Sequence, residues 1–335
     1  MKANMVDALN KGLHEAMAAD ERVVVLGEDV ATTGGVFRVT AGLMERFGDV
    51  RVVDTPLAEA GIIGSAIGMS MYGLLPVTEM QFDAFTYPGF EQIVTHAARL
   101  AWRSKGEMPA SIVVRIPYGG GVRMPELHSD SPEALFVHVP GLKVVGPSRP
   151  EDARAMIIAA IEDPDPVIFM EPKKIYRASR DEIPDDPPFA IGNGNGHYNE
   201  YLCKARVARD GDDLAIYSYG ATIPLCIEAA DRLASDRGVQ ARVLDLRSLF
   251  PLDVETIEEG ARECGRAIVV HEAPRTAGIG AEVSSLIHER CMLDLEAPVG
   301  RVTGFDVPFP QFANEDDYLP SVDRIVAGAN RVLDF

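Results

Sequence analysis

Short apolar runs alternate with amphipathic stretches along most of this chain. Met5, Leu9, Leu13 and Met17 recur every four residues, the spacing of one helix face. Apolar runs follow at Val23–Leu26, Val52–Val53, Val77–Met80, Ile112–Ile116, Leu142–Val145 and Val167–Met170. Helical stretches separate them, chiefly Glu59–Tyr72, Phe90–Arg103 and Glu151–Ile161. Apolar strands divided by helices predict a parallel sheet covered on both faces.

The alternation stops at Tyr176. Pro184, Pro187 and Pro188 precede Gly192-Asn193-Gly194-Asn195-Gly196, a stretch of turn formers without a period. It resumes with Leu214–Tyr217, Ile223–Leu233, Ala241–Leu246, Val254–Arg262, Ala267–Val270, Ala281–Leu293 and Val299–Val302. The expected fold is therefore α/β, with two domains, each a mainly parallel sheet flanked by helices. The first covers residues 1–175, a linker 176–205, and the second 206–335. A chain of 335 residues exceeds most single cores, which agrees with two units.

Charge narrows the partners. Lys plus Arg number 32 against 51 Asp plus Glu, a formal net charge of -19. Phosphate backbones would be repelled, so nucleic acid is not expected as a partner. Cys203, Cys226, Cys264 and Cys291 are far apart, which suits neither a metal cluster nor a disulfide framework. No apolar run is long enough to cross a membrane. The N-terminal stretch lacks the apolar centre of a secretory signal. The expected location is the cytoplasm, or the mitochondrial matrix if a transit peptide has been removed.

Ligands of wound parallel sheets sit beyond the carboxyl ends of the strands, so the polar residues there carry the chemistry. These are Glu28 and Asp29, Asp54 followed by Glu59, Glu79 followed by Gln81, Phe82, Phe85 and Tyr87, and the loop Gly119-Gly120-Gly121 to His128. His271 and Glu272 end a strand in the second half. Glu59 lies among Leu57, Ala58, Ile62 and Ile63. That setting suits a desolvated carboxyl that donates a hydrogen, or equally an acid favoured at a helix start. His128 suits proton transfer near neutral pH, or simple exposure in a loop. Phe82, Phe85 and Tyr87 could face a flat ring or belong to the core. The glycine run could cradle an anion or merely bend.

No diphosphate-holding motif is present. A magnesium diphosphate needs a loop with Asp and Asn ligands, and no Gly-Asp-Gly followed by an Asn pair occurs. Neither a Walker loop nor a dinucleotide fingerprint is found.

A resemblance does appear. Gly27-Glu28-Asp29-Val30, Gly34-Gly35-Val36-Phe37-Arg38-Val39-Thr40, Asp54-Thr55-Pro56-Leu57-Ala58-Glu59-Ala60-Gly61 and His128-Ser129-Asp130-Ser131-Pro132-Glu133 occur in one order. Pro140-Gly141-Leu142-Lys143-Val144-Val145, Asp165-Pro166-Val167-Ile168-Phe169 and His271-Glu272-Ala273-Pro274-Arg275-Thr276 continue it. The set resembles the β subunit of the thiamine-diphosphate-dependent decarboxylating component of 2-oxo acid dehydrogenase complexes, of pyruvate or branched-chain type.

The resemblance implies transketolase-like pyrimidine-binding and C-terminal domains, and thiamine diphosphate shared with an α subunit that holds the diphosphate and Mg²⁺. Glu59 matches the glutamate that hydrogen-bonds the aminopyrimidine nitrogen. Gln81 and Phe85 match its neighbours, Phe85 standing where some relatives carry Tyr. Glu28 matches an acid near the cofactor, and His128 an active-site histidine assisting acyl transfer to lipoate. Backbone oxygens around Ala160, Ile161, Asp163 and Asp165 correspond to a structural potassium site of some relatives. An α₂β₂ heterotetramer is implied, docked on a lipoyl acyltransferase core through a small basic domain. The acidic stretch Asp306–Phe312 with Asn314–Asp317 suits that contact.

Two rivals are a transketolase-like half protein acting on sugar phosphates and a non-catalytic scaffold subunit. For substrate, Asp54-Thr55-Pro56 and Pro125–His128 resemble pyruvate enzymes, while Cys264–Val270 and Leu293–Pro298 resemble branched-chain ones. The expectation leans to branched-chain 2-oxo acids.

Overall fold

The computed structural model describes residues 1–178, 180–192 and 197–335. The chain opens with α1 (Met5–Ala19). Asn4 caps it by accepting from the Asp7 N–H, and the Asp7 carboxylate accepts the Asn4 N–H in return. The first sheet then takes β1 (Val23–Gly27), β2 (Val52–Asp54), β3 (Leu75–Glu79), β4 (Val113–Tyr118), β5 (Lys143–Val145) and β6 (Val167–Pro172). Between them lie α2 (Glu59–Met71) and α3 (Pro150–Glu162), the latter started by proline at its first position. The second half supplies β7 (Arg206–Arg209), β8 (Leu214–Ser218), α4 (Ile223–Arg237), β9 (Ala241–Asp245), β10 (Ser248–Phe250), α5 (Val254–Cys264), β11 (Ala267–Val270), α6 (Ile279–Cys291), β12 (Gly300–Val302) and α7 (Val322–Leu333).

The first sheet has the order β10-β5-β6-β4-β3-β1-β2, and the second β12-β11-β8-β9-β7. All pairings are parallel except β10 on β5 and β7 on β9. Strand β10 thus comes from the second half and extends the first sheet. One apolar cluster covers the outer face under α1 and α3. There Gly12 lets the helices meet, since a Cβ on it would lie 2.6 Å from Ile157 Cγ2. On the other face the cluster around Ile63, Ile116 and Tyr118 runs on through Leu249 to Tyr217 and Ile257 of the second half. The two halves share one core.

Some expectations change. The stretch 176–205 is more than a tether: Asp181–Glu182 pairs antiparallel with Lys2–Ala3, and a helix at His197–Leu202 buries Leu202 beside α3. The Asn/Gly residues 193–196 lie outside the described residues. The helix expected at Phe90–Arg103 begins at Tyr87 and passes through a π-helical segment, Gln92–Ala97. Strands β7 and β10 and helix α7 are additions to the sequence reading. Among the described residues no helix is long and apolar enough to cross a membrane.

Candidate active site

Parallel register aligns Gly27 with Asp54 and with Glu79, and Glu79 with Arg115. The residues following these positions therefore gather at one edge of the first sheet. Glu28 leaves β1, and the β2–α2 turn delivers Glu59 as the first residue of α2. No side chain caps that helix start. The Glu59 carboxylate sits where the helix leaves N–H groups unpaired and the dipole favours an acid. Glu28 is 8% exposed and Glu59 7%. Neither carboxyl has a hydrogen-bond partner among the described residues. Burial, then the Glu59 charge and that of Asp29, push the Glu28 carboxyl above the usual carboxylate range. Two carboxyls close enough to oppose each other's charge suit a shared proton or a basic ligand.

Asp54 has a different task. Its carboxylate accepts the N–H groups of Ala31 and Thr32, at 2.7 and 3.1 Å, and the Thr32 hydroxyl at 2.7 Å. These contacts hold it below the usual range against a partial desolvation that would raise it. It ties the β1 loop to β2.

Gln81 donates its amide to Asp29 at 3.1 Å, which leaves the Gln81 carbonyl oxygen to face a ligand. Phe82 is buried rather than open, set edge-on to Phe37 and Phe85 at 5.6 Å. Tyr87 is exposed, its hydroxyl donating to Asp130 at 3.0 Å. Of the three aromatics, Phe82 belongs to the core, Tyr87 is exposed, and Phe85 is half-buried beside Phe82 and His128.

His128 packs against Phe82, tilted at 4.2 Å, and edge-on against Phe85 at 5.0 Å. Its Nδ1 lies 2.8 Å from the Glu126 carbonyl oxygen. A proton on Nδ1 satisfies that contact and leaves Nε2 as the basic nitrogen. The loop is held from below by Lys173, which donates to the His128 carbonyl oxygen at 2.7 Å and pairs with buried Asp83. Burial lowers the Lys173 ammonium, with Asp83 opposing.

Several functional-looking groups lie beneath. Arg115, fully buried, bridges Glu79 and Glu171, and the Tyr176 hydroxyl donates to Glu171. Burial alone would lower the guanidinium, but the two glutamates outweigh it and raise it. Glu272 reaches from the second sheet to the His128 loop. A Cβ on Gly119 would lie 1.9 Å from its Oε1, so only glycine fits there, at φ +81°. Burial, then Glu133, raise the Glu272 carboxyl to about 8. Burial lowers His271 to about 4, and neither ring nitrogen has a hydrogen-bond partner. Charged residues inside apolar strand runs, as in Val113-Val114-Arg115-Ile116, are the sequence signal for such networks, because a buried charge must be paired.

The remaining site expectations separate. Ala160 and Ile161 lie buried at the end of α3. Asp163 pairs with the Lys143 ammonium and accepts the Asp165 N–H at 2.9 Å, and Asp165 reaches Lys143 at 3.4 Å. An ammonium therefore answers the charge of both carboxylates, while the potassium expectation concerns the backbone oxygens of these residues. Glu315 departs from expectation. It is 1% exposed and accepts the Gly121 N–H, so it faces inward and is not open to a basic partner. Asp316 pairs with Arg123. Among the described residues no cluster of three or more His, Cys, Asp or Glu side chains is placed to hold a metal ion.

Comparisons with known proteins give this edge its context. "Transketolase, pyrimidine binding domain" matches residues 1–179, and "Transketolase, C-terminal domain" residues 203–325. The chain is 46% identical over 331 residues to the 3-methyl-2-oxobutanoate dehydrogenase subunit beta of Mycobacterium tuberculosis, covering 98% of this chain and 91% of that protein. It is 44% identical over 333 residues to the 2-oxoisovalerate dehydrogenase subunit beta of Bacillus subtilis, covering 98% of each. It is 42% identical over 323 residues to the pyruvate dehydrogenase E1 component subunit beta of Acholeplasma laidlawii, covering 96% of this chain and 95% of that protein. A solved "Split gene transketolase, inactive beta4 tetramer" superposes with a TM-score of 0.76 at 23% identity, over 100% of this chain and 99% of that one, which speaks to the fold alone. With both domains matched and identities above 40% over nearly the whole length, the chain belongs to the β subunits of the 2-oxo acid dehydrogenase E1 components.

Proposed function

We infer that this chain contributes the aminopyrimidine side of a thiamine diphosphate site shared with an α subunit, and that the assembly decarboxylates a 2-oxo acid and passes the acyl group to a lipoyl arm. The observation that carries the reading is Glu59, a buried carboxyl without a protein partner at the ligand edge of a parallel sheet. Thiamine diphosphate, when bound, supplies the carbanion-stabilising centre that loss of carbon dioxide requires.

The residues fit the pyrimidine half of that cofactor. Glu59 would hydrogen-bond a ring nitrogen, with the Glu28 carboxyl, raised by burial and by the Glu59 charge, beside it. Phe85 and the Gln81 carbonyl oxygen line the ring. His128 presents Nε2 as base or acid to the acyl transfer, its ring fixed by Phe82 and the Glu126 carbonyl oxygen. The Mg²⁺ and diphosphate fall to the α subunit in this reading. Potassium has no step assigned to it.

The same helix supports the partner. Gly61, Gly64 and Gly68 carry almost no neighbouring atoms on their outer side, and Leu57, Met71, Tyr72 and Trp102 are exposed apolar residues. A bare glycine face flanked by large apolar side chains suits close approach of a second polypeptide. The small basic domain of an acyltransferase core is left with Asp316 and Asp317 rather than Glu315. Substrate stays at the level of 2-oxo acids, because pyruvate-type and branched-chain relatives match at similar identity.

The test is Glu59→Gln in the chain co-purified with its α subunit. Assembly by size exclusion should be unchanged, while decarboxylation with thiamine diphosphate, Mg²⁺, a panel of 2-oxo acids and an artificial electron acceptor falls by about 10²-fold or more. Turnover equal to the unsubstituted assembly would remove Glu59 from the mechanism. The same panel fixes the substrate.

A further inference from the structure

Four arginines converge on one cavity of the second domain in a chain whose net charge is -19. Arg275 follows β11, Arg301 lies on β12, and Arg324 and Arg331 stand seven residues apart on one side of α7. The cavity they line is about 320 Å³. It opens beyond the carboxyl ends of β11 and β12, adjacent parallel strands in which Val270 pairs with Val302. That is where wound parallel sheets take ligands.

None of the four forms an ion pair among the described residues, although ion pairs are plentiful elsewhere on the chain. Arg275 and Arg301 instead donate to each other's carbonyl oxygens, at 3.1 and 3.2 Å. Arg324 donates to the carbonyl oxygens of Tyr318, Leu319 and Thr303, and its guanidinium lies 4.6 Å from the centre of the Phe305 ring. These contacts hold three of the forks in fixed directions. Arg331 has no hydrogen-bond or ion-pair partner among the described residues. One acid borders the cavity, Asp306, and its oxygens already accept the Thr276 N–H at 2.8 Å and hydroxyl at 2.7 Å. Four positive charges against one leave a net of three. Partial burial and then the Arg275 charge lower the Arg301 guanidinium, with Asp306 opposing.

We propose that this cavity is a binding site for a small polyphosphate-bearing anion. Guanidinium forks match phosphate oxygens two at a time, and a net charge of three asks for more than one carboxylate. The volume is roughly that of ten waters, more than a single tetrahedral oxyanion fills. The site lies at the edge of the second sheet, whereas Glu59 serves the first, so it stands apart from the proposed cofactor reading.

Titration calorimetry of the full chain with pyrophosphate, orthophosphate and citrate tests it. Pyrophosphate should bind saturably at one site, more tightly than orthophosphate or citrate. Arg275→Ala combined with Arg331→Ala should weaken it at least tenfold without changing the melting temperature, since both side chains are exposed. The single exchange Arg331→Glu should do the same, and serves if the double variant folds poorly. No saturable binding, an affinity unchanged in both variants, or citrate bound as tightly as pyrophosphate would each overturn the assignment.

Discussion

Glu59 and Arg115 are both charged residues in apolar surroundings, and opposite logic applies to them. Arg115 is fully paired: two glutamates accept from it and all three side chains are buried. Removing it strands two acids in the interior. Arg115→Met should therefore destabilise the chain by about 3–5 kcal/mol in a denaturant melt. A loss below about 1 kcal/mol would show that water reaches the pair. Glu59 is unpaired, which a structural role does not explain, and this is why it carries the functional reading. Sequence left its burial open against a helix-start charge, and the structure decides it: Leu57, Ala58 and Ala60 are exposed while Ile62 and Ile63 turn inward. The pairing of Arg115 with residues 36 and 56 positions away was not, because sequence shows that a buried charge needs a partner but not which one.

At the scale of elements, β11 ends in two buried titratable groups whose shifts oppose. His271, lowered to about 4 against an ordinary 6.5, binds fewer protons folded than unfolded between those values, so stability rises with pH there. Glu272, raised to about 8 from 4.5, binds more protons folded, so its contribution is present below 4.5 and lost as pH rises to 8. From about 4.5 to 6.5 the two cancel. Above 6.5 only Glu272 acts, and stability should fall by at most about 1.4 kcal/mol per pH unit. Glu272→Gln should flatten the melting temperature between pH 6.5 and 8 relative to the parent chain. An equal slope in both would place that proton elsewhere. The parallel strands were readable as apolar runs because both their faces are covered. Strand β10 was not, for three residues carry no period, and β7 is an edge strand with mixed polarity. Helix α7 does hold a helical period, in Ile325, Ala329 and Val332, after an N-cap at Ser321. Its arginines and the acidic run before it make that stretch read first as charge. The segment 176–192 reads as linker because its order comes from distant partners, Lys2–Ala3 and the core around Ile183.

For the whole molecule, α2 turns one side to the core and leaves the other bare. A Cβ added at Gly68 meets nothing within 4 Å, and its backbone is not strained. Gly68→Leu should raise the stability of the isolated chain by about 0.5–1 kcal/mol, the helix preference of a side chain over glycine. It should at the same time abolish co-purification with the α subunit. Retained assembly would move the subunit boundary off this helix. The glycine spacing was visible in the sequence, but only the folded chain shows which of its glycines are spent on internal packing and which face outward.

Strand β10 gives the molecule a temporal order. A ribosome that has delivered every residue of the pyrimidine-binding half has still not delivered Ser248–Phe250, so β5 waits with an open hydrogen-bonding edge while about seventy further residues emerge. The front half can gather early, but its sheet closes only when the back half arrives, and each newborn chain passes through an interval in which that edge must be kept from its neighbours.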